Sequence, residues 1–149
     1  MATIKEAEMQ TGITKQNIRY YEKIGLLQPL REQENKYRNY SEEDIRRLKL
    51  IFLFRKLDMP LEEIRQLLEG TIELQDALQM QKEMLVERQQ KLQAAISFCG
   101  QIEEKELTQL DVDGYLSKIK TEEKNGHYFA DILQDYKNCL LYTSDAADE

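Results

Sequence analysis

From Glu73 to Cys99 the chain holds neither proline nor glycine and is rich in Gln, Glu, Lys and Leu. Such a stretch has little choice but to form a helix, and one long helix is predicted from Glu73 to Ile102. Leu78, Leu85, Leu92 and Cys99 recur every seven residues along it, with Gln81, Arg88, Ala95 and Ile102 at the alternate seam positions. A long helix with one apolar edge is marginal in water by itself, so pairing with a second copy is expected through Leu78, Leu85, Leu92, Ala95, Cys99 and Ile102. Because the seam is half polar, the coiled coil should be short or antiparallel and supported by neighbours.

The rest of the chain must therefore be small. Its 149 residues suffice for one compact domain beside this helix but not for two large cores. No run approaches the roughly eighteen apolar residues of a membrane span, and the start MATIKEAEMQ lacks the apolar core of a signal peptide. A cytoplasmic protein without membrane contact is expected. Cys99 and Cys139 stand too far apart for a zinc knuckle and are too few for a disulfide framework, so reduced thiols are expected.

The net charge of -7 argues at first sight against nucleic acid. It is unevenly spread. Residues 1–70 carry 13 Lys+Arg against 12 Asp+Glu, which leaves 8 against 16 for residues 71–149. The first half can face a polyanion that would repel the second.

Within that first half, Ile4 to Met9 reads as a short helix, Thr11-Gly12-Ile13 as a turn, and Thr14 as the cap of a second helix running towards Gly25. On this second helix Ile18 and Tyr21 share one face, whereas Gln16, Arg19, Tyr20 and Lys23 gather on the other. The polar stretch Arg31 to Tyr40 suits a small two-stranded wing turning near Asn35. Ser41 then caps a third helix with the acids Glu42, Glu43 and Asp44 in its first turn, and Ile45, Leu48, Ile51, Phe52 and Phe54 as its apolar positions. Asp58-Met59-Pro60 breaks the pattern, and Pro60 opens a fourth helix striped by Leu61, Ile64, Leu67 and Leu68 and ended by Gly70. Beyond residue 105, Tyr115, Leu116 and Ile119, then Tyr128, Phe129, Ile132, Leu133 and Tyr136, form two weak helical stripes around Asn125-Gly126. The stretch Leu141 to Glu149 continues no periodicity and reads as a frayed tail of read-through or adapter origin.

Four blocks in order resemble the N-terminal domain of the MerR family: Gly12-Ile13-Thr14; Ile18-Arg19-Tyr20-Tyr21-Glu22-Lys23-Ile24-Gly25-Leu26-Leu27; Tyr37-Arg38-Asn39-Tyr40-Ser41-Glu42-Glu43-Asp44; and Leu61-Glu62-Glu63-Ile64. The long helix resembles that family's antiparallel dimerisation helix. Three positions depart from the family pattern: Lys36 replaces a glycine in the wing, Asn17 a common threonine, and Asp58-Met59-Pro60 a glycine-containing turn.

The resemblance implies a mainly α fold with a winged helix-turn-helix domain at 1–70 and an antiparallel coiled-coil helix at 73–108; the apolar stripes beyond them read as a small helical effector or packing region at 109–138, and residues 139–149 as a disordered or non-native tail. The resemblance further implies a homodimer that binds a palindromic promoter operator and distorts the duplex, so that RNA polymerase is reached indirectly through the DNA. Lys15, Gln16 and Asn17 on the first turn would then reach base edges, and Thr14 a phosphate. Arg19 and Tyr20 resemble residues that hold backbone or base, and Tyr37 and Arg38 would clamp flanking phosphates. Tyr20 and Tyr37 have an alternative reading as core packing, and Arg19 as a solvated charge.

Metal-sensing relatives gather several cysteines, which this chain lacks; Cys99 reads as a small apolar packer and His127 as a solvated loop residue. No metal or cofactor is expected. The Tyr115 to Tyr136 stripe reads first as the inside of a helical hairpin, although a small-molecule effector stays open, since drug-responsive relatives use such residues. Catalysis is the least expected function, because no Ser, His and acid set, phosphate-cradling glycine loop or metal cluster is visible in the sequence. Two rivals remain, a DNA-architectural or phage-type excision protein and a coiled-coil adaptor without DNA affinity.

Overall fold

The computed structural model describes residues 1–31 and 38–132, which fall into two compact units, Met1–Lys82 and Glu83–Glu149. The described part is mainly helical.

The first unit opens with α1 (Ile4–Thr11) and α2 (Lys15–Lys23), and local chemistry sets the break between them. Gly12 ends α1 at φ +78°, a left-handed geometry that costs a glycine little, and its N–H bonds the Glu8 carbonyl. Two residues later Thr14 restarts the chain as a cap, its hydroxyl accepting from the Asn17 N–H at 3.2 Å. The Glu8 carboxylate also accepts from the Lys15 N–H at 2.7 Å, so α1 supplies a partner for an otherwise orphan donor of α2.

The strands β1 (Leu30–Arg31) and β2 (Arg38–Asn39) pair antiparallel, Leu30 opposite Asn39 and Arg31 opposite Arg38. Tyr40 extends the pairing to Ala2 through bonds of 2.7 and 2.8 Å. The expected turn near Asn35 and Tyr37 lie outside the described residues.

Ser41 caps α3 (Glu42–Lys56) in a reciprocal box with Asp44. This helix buries Ile45, Leu48, Ile51 and Phe54, with Phe52 half-buried. At the following turn Asp58 adopts φ +63° and Met59 is wholly buried. Pro60 is the cap of α4 (Leu61–Glu69) and not its first helical residue, a one-residue shift, and Gly70 ends the helix at φ +77°. Ile18, Leu26, Leu27, Tyr40, Leu48, Ile51, Met59 and Ile64 are almost wholly enclosed and form the core. Each aliphatic member stabilises the unit by roughly 1.5–3 kcal/mol.

The long helix α5 spans Leu74–Cys99. Its first turns belong to the core just described: Ala77 is buried and Leu78 packs partly buried against it. Gln81, expected at the coiled-coil seam, is buried too, its Nε2 donating to the Leu57 carbonyl at 2.9 Å. That carbonyl, at the C-terminal end of α3, has no helical partner of its own, which is why a polar side chain is held there. The helix stops three residues short of Ile102: Gly100 follows it, and the Gln101 N–H turns back to the Phe98 carbonyl at 2.9 Å. Ile102 is therefore off the helix, which was expected to reach it.

In the second unit a single 3-10 turn at Leu107–Gln109 precedes α6 (Val112–Lys124), which Asp111 caps. Phe98 is buried and meets Tyr115 and Phe129 edge-on, at centroid distances of 5.8 and 5.6 Å. The expected second helical stripe does not form at Tyr128, Phe129 and Ile132. Gly126, at φ +90°, ends α6, the His127 N–H bonds back to Glu122, and the Phe129 N–H to the Glu123 carboxylate. Leu133, Tyr136, Cys139 and the tail lie outside the described residues.

Candidate nucleic-acid interface

The two faces of α2 differ as their side chains require. Ile18 and Tyr21 are buried in the core, whereas Gln16, Asn17, Arg19, Tyr20 and Lys23 are exposed and Lys15 is half-exposed. Tyr20 is 45% exposed, which removes the reading of it as core; its ring lies tilted beside Tyr21 at 6.3 Å. Burial pushes the Tyr21 phenol above its ordinary value of 10.0, with Arg55 pulling it back and Tyr20 adding to the rise. Tyr21 thus anchors the helix as a neutral group.

Two interactions fix the end of α2. The Tyr40 hydroxyl donates to the Glu22 carboxylate, and the Arg65 guanidinium to the Ile24 carbonyl. Arg47 adds a bond to the Leu26 carbonyl. The exposed face of the helix is thereby oriented by buried and half-buried groups that take no part in it.

Beside that face lies a shallow cleft of about 420 Å³, to which Thr14, Asn17 and Tyr20 contribute with Arg55 and Lys56. Sequence reasoning missed these two cations. Arg55 donates to the Met59 carbonyl at 2.7 Å, and the Lys56 ammonium sits 5.3 Å from the Phe52 ring centre. The available signal was a basic pair in the last turn of a helix, which reads as ordinary dipole compensation. Of the remaining expected contacts, Arg38 lies in β2 and Tyr37 is outside the described residues.

The expected seam divides. Leu78 belongs to the first unit's core, whereas Leu85, Leu92, Ala95 and Cys99 are exposed. Ile96, also missed, is 65% exposed on the same side of α5, four residues after Leu92. Cys99 is a free, exposed thiol in the single chain and does not pack within it. Among the described residues no group of three or more His, Cys, Asp or Glu is arranged to hold a metal, and no helix is long and apolar enough to cross a membrane.

Two consecutive helices, broken by a glycine turn and presenting the polar face of the second, define a helix-turn-helix protein. Comparison with known proteins narrows the class. Residues 2–71 match the MerR HTH family regulatory protein model and residues 45–109 the MerR, DNA binding model. The HTH-type transcriptional activator mta of Bacillus subtilis is 30% identical over 112 residues, 74% of this chain. The Heavy metal-dependent transcription regulator 2 of Rhizobium meliloti is 38% identical over 65 residues, 44% of this chain. The solved N-terminus of MtaN, the Bacillus subtilis multidrug transporter activator, superposes with a TM-score of 0.63 at 28% identity, over 68% of this chain and 96% of that one. The chain belongs to the MerR family, whose members are regulators of transcription and not enzymes. It spans 41% and 44% of the length of these two curated relatives.

Proposed function

We propose that the chain is a homodimeric, sequence-specific transcriptional regulator of the bacterial cytoplasm that binds a palindromic promoter operator and distorts it. The observation that carries this reading is the polar face of α2, held outward on the buried Ile18 and Tyr21. Gln16 and Asn17 suit adenine edges, Lys15 suits guanine, and Thr14, Arg19 and Tyr20 the adjoining backbone or bases. The β1–β2 ladder is read as the base of a wing that carries Tyr37 and Arg38 to flanking phosphates, and Arg55 and Lys56 extend the phosphate grip.

In this reading two copies pair antiparallel through Leu85, Leu92, Ala95, Ile96 and Cys99, which sets the spacing of two recognition helices on the half-sites. Contact energy held at fixed spacing is converted into bending and untwisting, and the altered duplex is what RNA polymerase meets.

Selection of bound duplexes from a random pool by the purified protein tests this. One palindromic motif should emerge, and Arg19→Ala should bind it about tenfold or more weakly, the worth of one good base or backbone contact. Recovery of no motif by the parent protein overturns the reading in favour of the adaptor.

A further inference from the structure

Glu8 stands where the helix dipole disfavours an acid. It lies in the last turn of α1, the end that carries partial negative charge, and no basic residue accompanies it there. Its side chain reaches the other helix of the pair: Oε2 accepts from the Lys15 N–H at 2.7 Å, while the Glu8 backbone carbonyl accepts from the Gly12 N–H at 2.9 Å. One residue thus serves both helix ends at the turn. The attraction of its charge to the positive end of α2 is offset by repulsion from the negative end of α1.

The donors at this turn can be followed one by one. The Ile13 N–H goes to the Thr11 hydroxyl at 3.2 Å, that of Lys15 to Glu8, that of Asn17 to the Thr14 hydroxyl, and that of Ile18 to the Thr14 carbonyl at 2.9 Å. Of the first three N–H groups of α2, only that of Gln16 has no acceptor among the described residues. A neutral amide at residue 8 would accept the Lys15 N–H equally, without opposing the α1 dipole and without repelling a polyanion. A residue that breaks a local rule with no net gain to the fold points to function.

What the carboxylate adds is a full negative charge, about twice the partial positive charge of the helix end it covers. An uncovered helix end offers N–H groups and positive potential to any phosphate, whatever the base sequence. With Glu8 in place that grip is withheld, and the first turn of α2 engages through Gln16 and Asn17, whose amides suit base edges.

We infer that Glu8 is a specificity-determining residue of the proposed regulator, and the inference rests on that reading: its carboxylate closes the amino end of the recognition helix to DNA phosphate. Affinity for random duplex is thereby lowered more than affinity for the operator. The two differ because a non-specific complex is held almost wholly by phosphates, whereas at an operator base contacts fix where α2 lies.

Two substitutions separate charge from capping. Glu8→Gln keeps an acceptor for the Lys15 N–H and removes the charge; Glu8→Ala removes both. Fluorescence anisotropy of the full chain with the selected duplex, and with a scrambled duplex of equal length and composition at the same salt, reads the two affinities. For Glu8→Gln, scrambled-duplex affinity should rise about threefold or more, the effect of one charge at each of two helix ends, and the ratio of selected to scrambled affinity should fall at least twofold. Circular dichroism should place its thermal midpoint close to the parent's, whereas Glu8→Ala should melt lower and still bind scrambled duplex more tightly than the parent. A purely structural role gives another pattern, in which Glu8→Gln changes neither affinity and Glu8→Ala weakens both. A fall in the ratio of less than twofold for folded Glu8→Gln overturns the proposal. The duplex selection keeps the two readings apart: a motif with an unchanged ratio sinks the Glu8 assignment alone, and no motif from the parent sinks the regulator and this inference with it.

Discussion

Tyr40→Phe removes one oxygen, and the structure indicates how much that oxygen is worth. Tyr40 is 1% exposed, its backbone pairs with Ala2 at the end of the strand ladder, and its hydroxyl donates to Glu22 in the last turns of α2. The bond therefore ties the proposed recognition helix to the base of the proposed wing. A hydrogen bond to a charged group contributes about 1.5–3 kcal/mol. Glu22 is only half-buried, so water recovers part of its solvation once the hydroxyl is gone, and the lower end, about 1.5 kcal/mol, is expected. For a unit of 82 residues each kcal/mol moves the midpoint by about 4–8 °C, which places Tyr40→Phe about 6–12 °C below the parent. Thermal denaturation followed by circular dichroism reads the shift. A cycle with Glu22→Gln isolates the pair, because Glu22 has other interactions that the single substitution also disturbs. The double variant should lose about 1 kcal/mol less than the sum of the singles. A midpoint within about 1 °C of the parent, or strict additivity, refutes the assignment of stability and of helix-to-wing geometry to this contact.

Three further outcomes are expected. Arg55→Ala and Lys56→Ala should each weaken binding to all duplexes alike and lower the slope of log affinity against log salt by about one, whereas Gln16→Ala should alter which base is preferred. Leu85→Glu with Leu92→Glu should abolish pairing and operator binding together; an unchanged dimer in light scattering refutes the seam. Stability should also fall in alkali. The folded-state value of Tyr21 is raised above 10.0 by burial, so its contribution is complete below that pH and is lost as pH rises through the folded value. Tyr21→Phe should remove that part of the decline in thermal midpoints taken between about pH 9 and 11.

Local signals carried most of what was legible in the sequence. Thr14, Ser41 and Gly70 act at their helix ends as their chemistry dictates, and three-residue spacing sorted Ile18 and Tyr21 from Arg19 and Tyr20 correctly. The failures came where one periodicity served two neighbours. A heptad reading treats α5 as one stripe, but its first turns pack on the core of Met1–Lys82 and only the later ones keep an exposed apolar face. Gln81 fits both descriptions, and only the orphan carbonyl of Leu57, distant in sequence, decides between them. Tyr128 and Phe129 misled for a related reason: their spacing suits a helix, but Phe129 meets Phe98 from a non-helical segment. Arg55 and Lys56 are plain in the sequence, yet their place beside α2 depends on the tertiary packing that brings the end of α3 to the same cleft.

The charge division gives the proposed regulator a particular economy of binding. Non-specific affinity for DNA comes almost wholly from cations that neutralise phosphates. Residues 1–82 carry 14 Lys+Arg and 14 Asp+Glu, and the remainder is acidic, so a randomly oriented encounter gains little. In the proposed reading the orientation that presents α2 brings Lys15, Arg19 and Lys23 to the duplex together with Arg55 and Lys56, and a palindrome lets both copies adopt it at once. Acidity that seems to argue against DNA binding therefore lowers the non-specific background more than the specific affinity. The ratio of the two, and not the affinity alone, decides how a regulator partitions among competing sites.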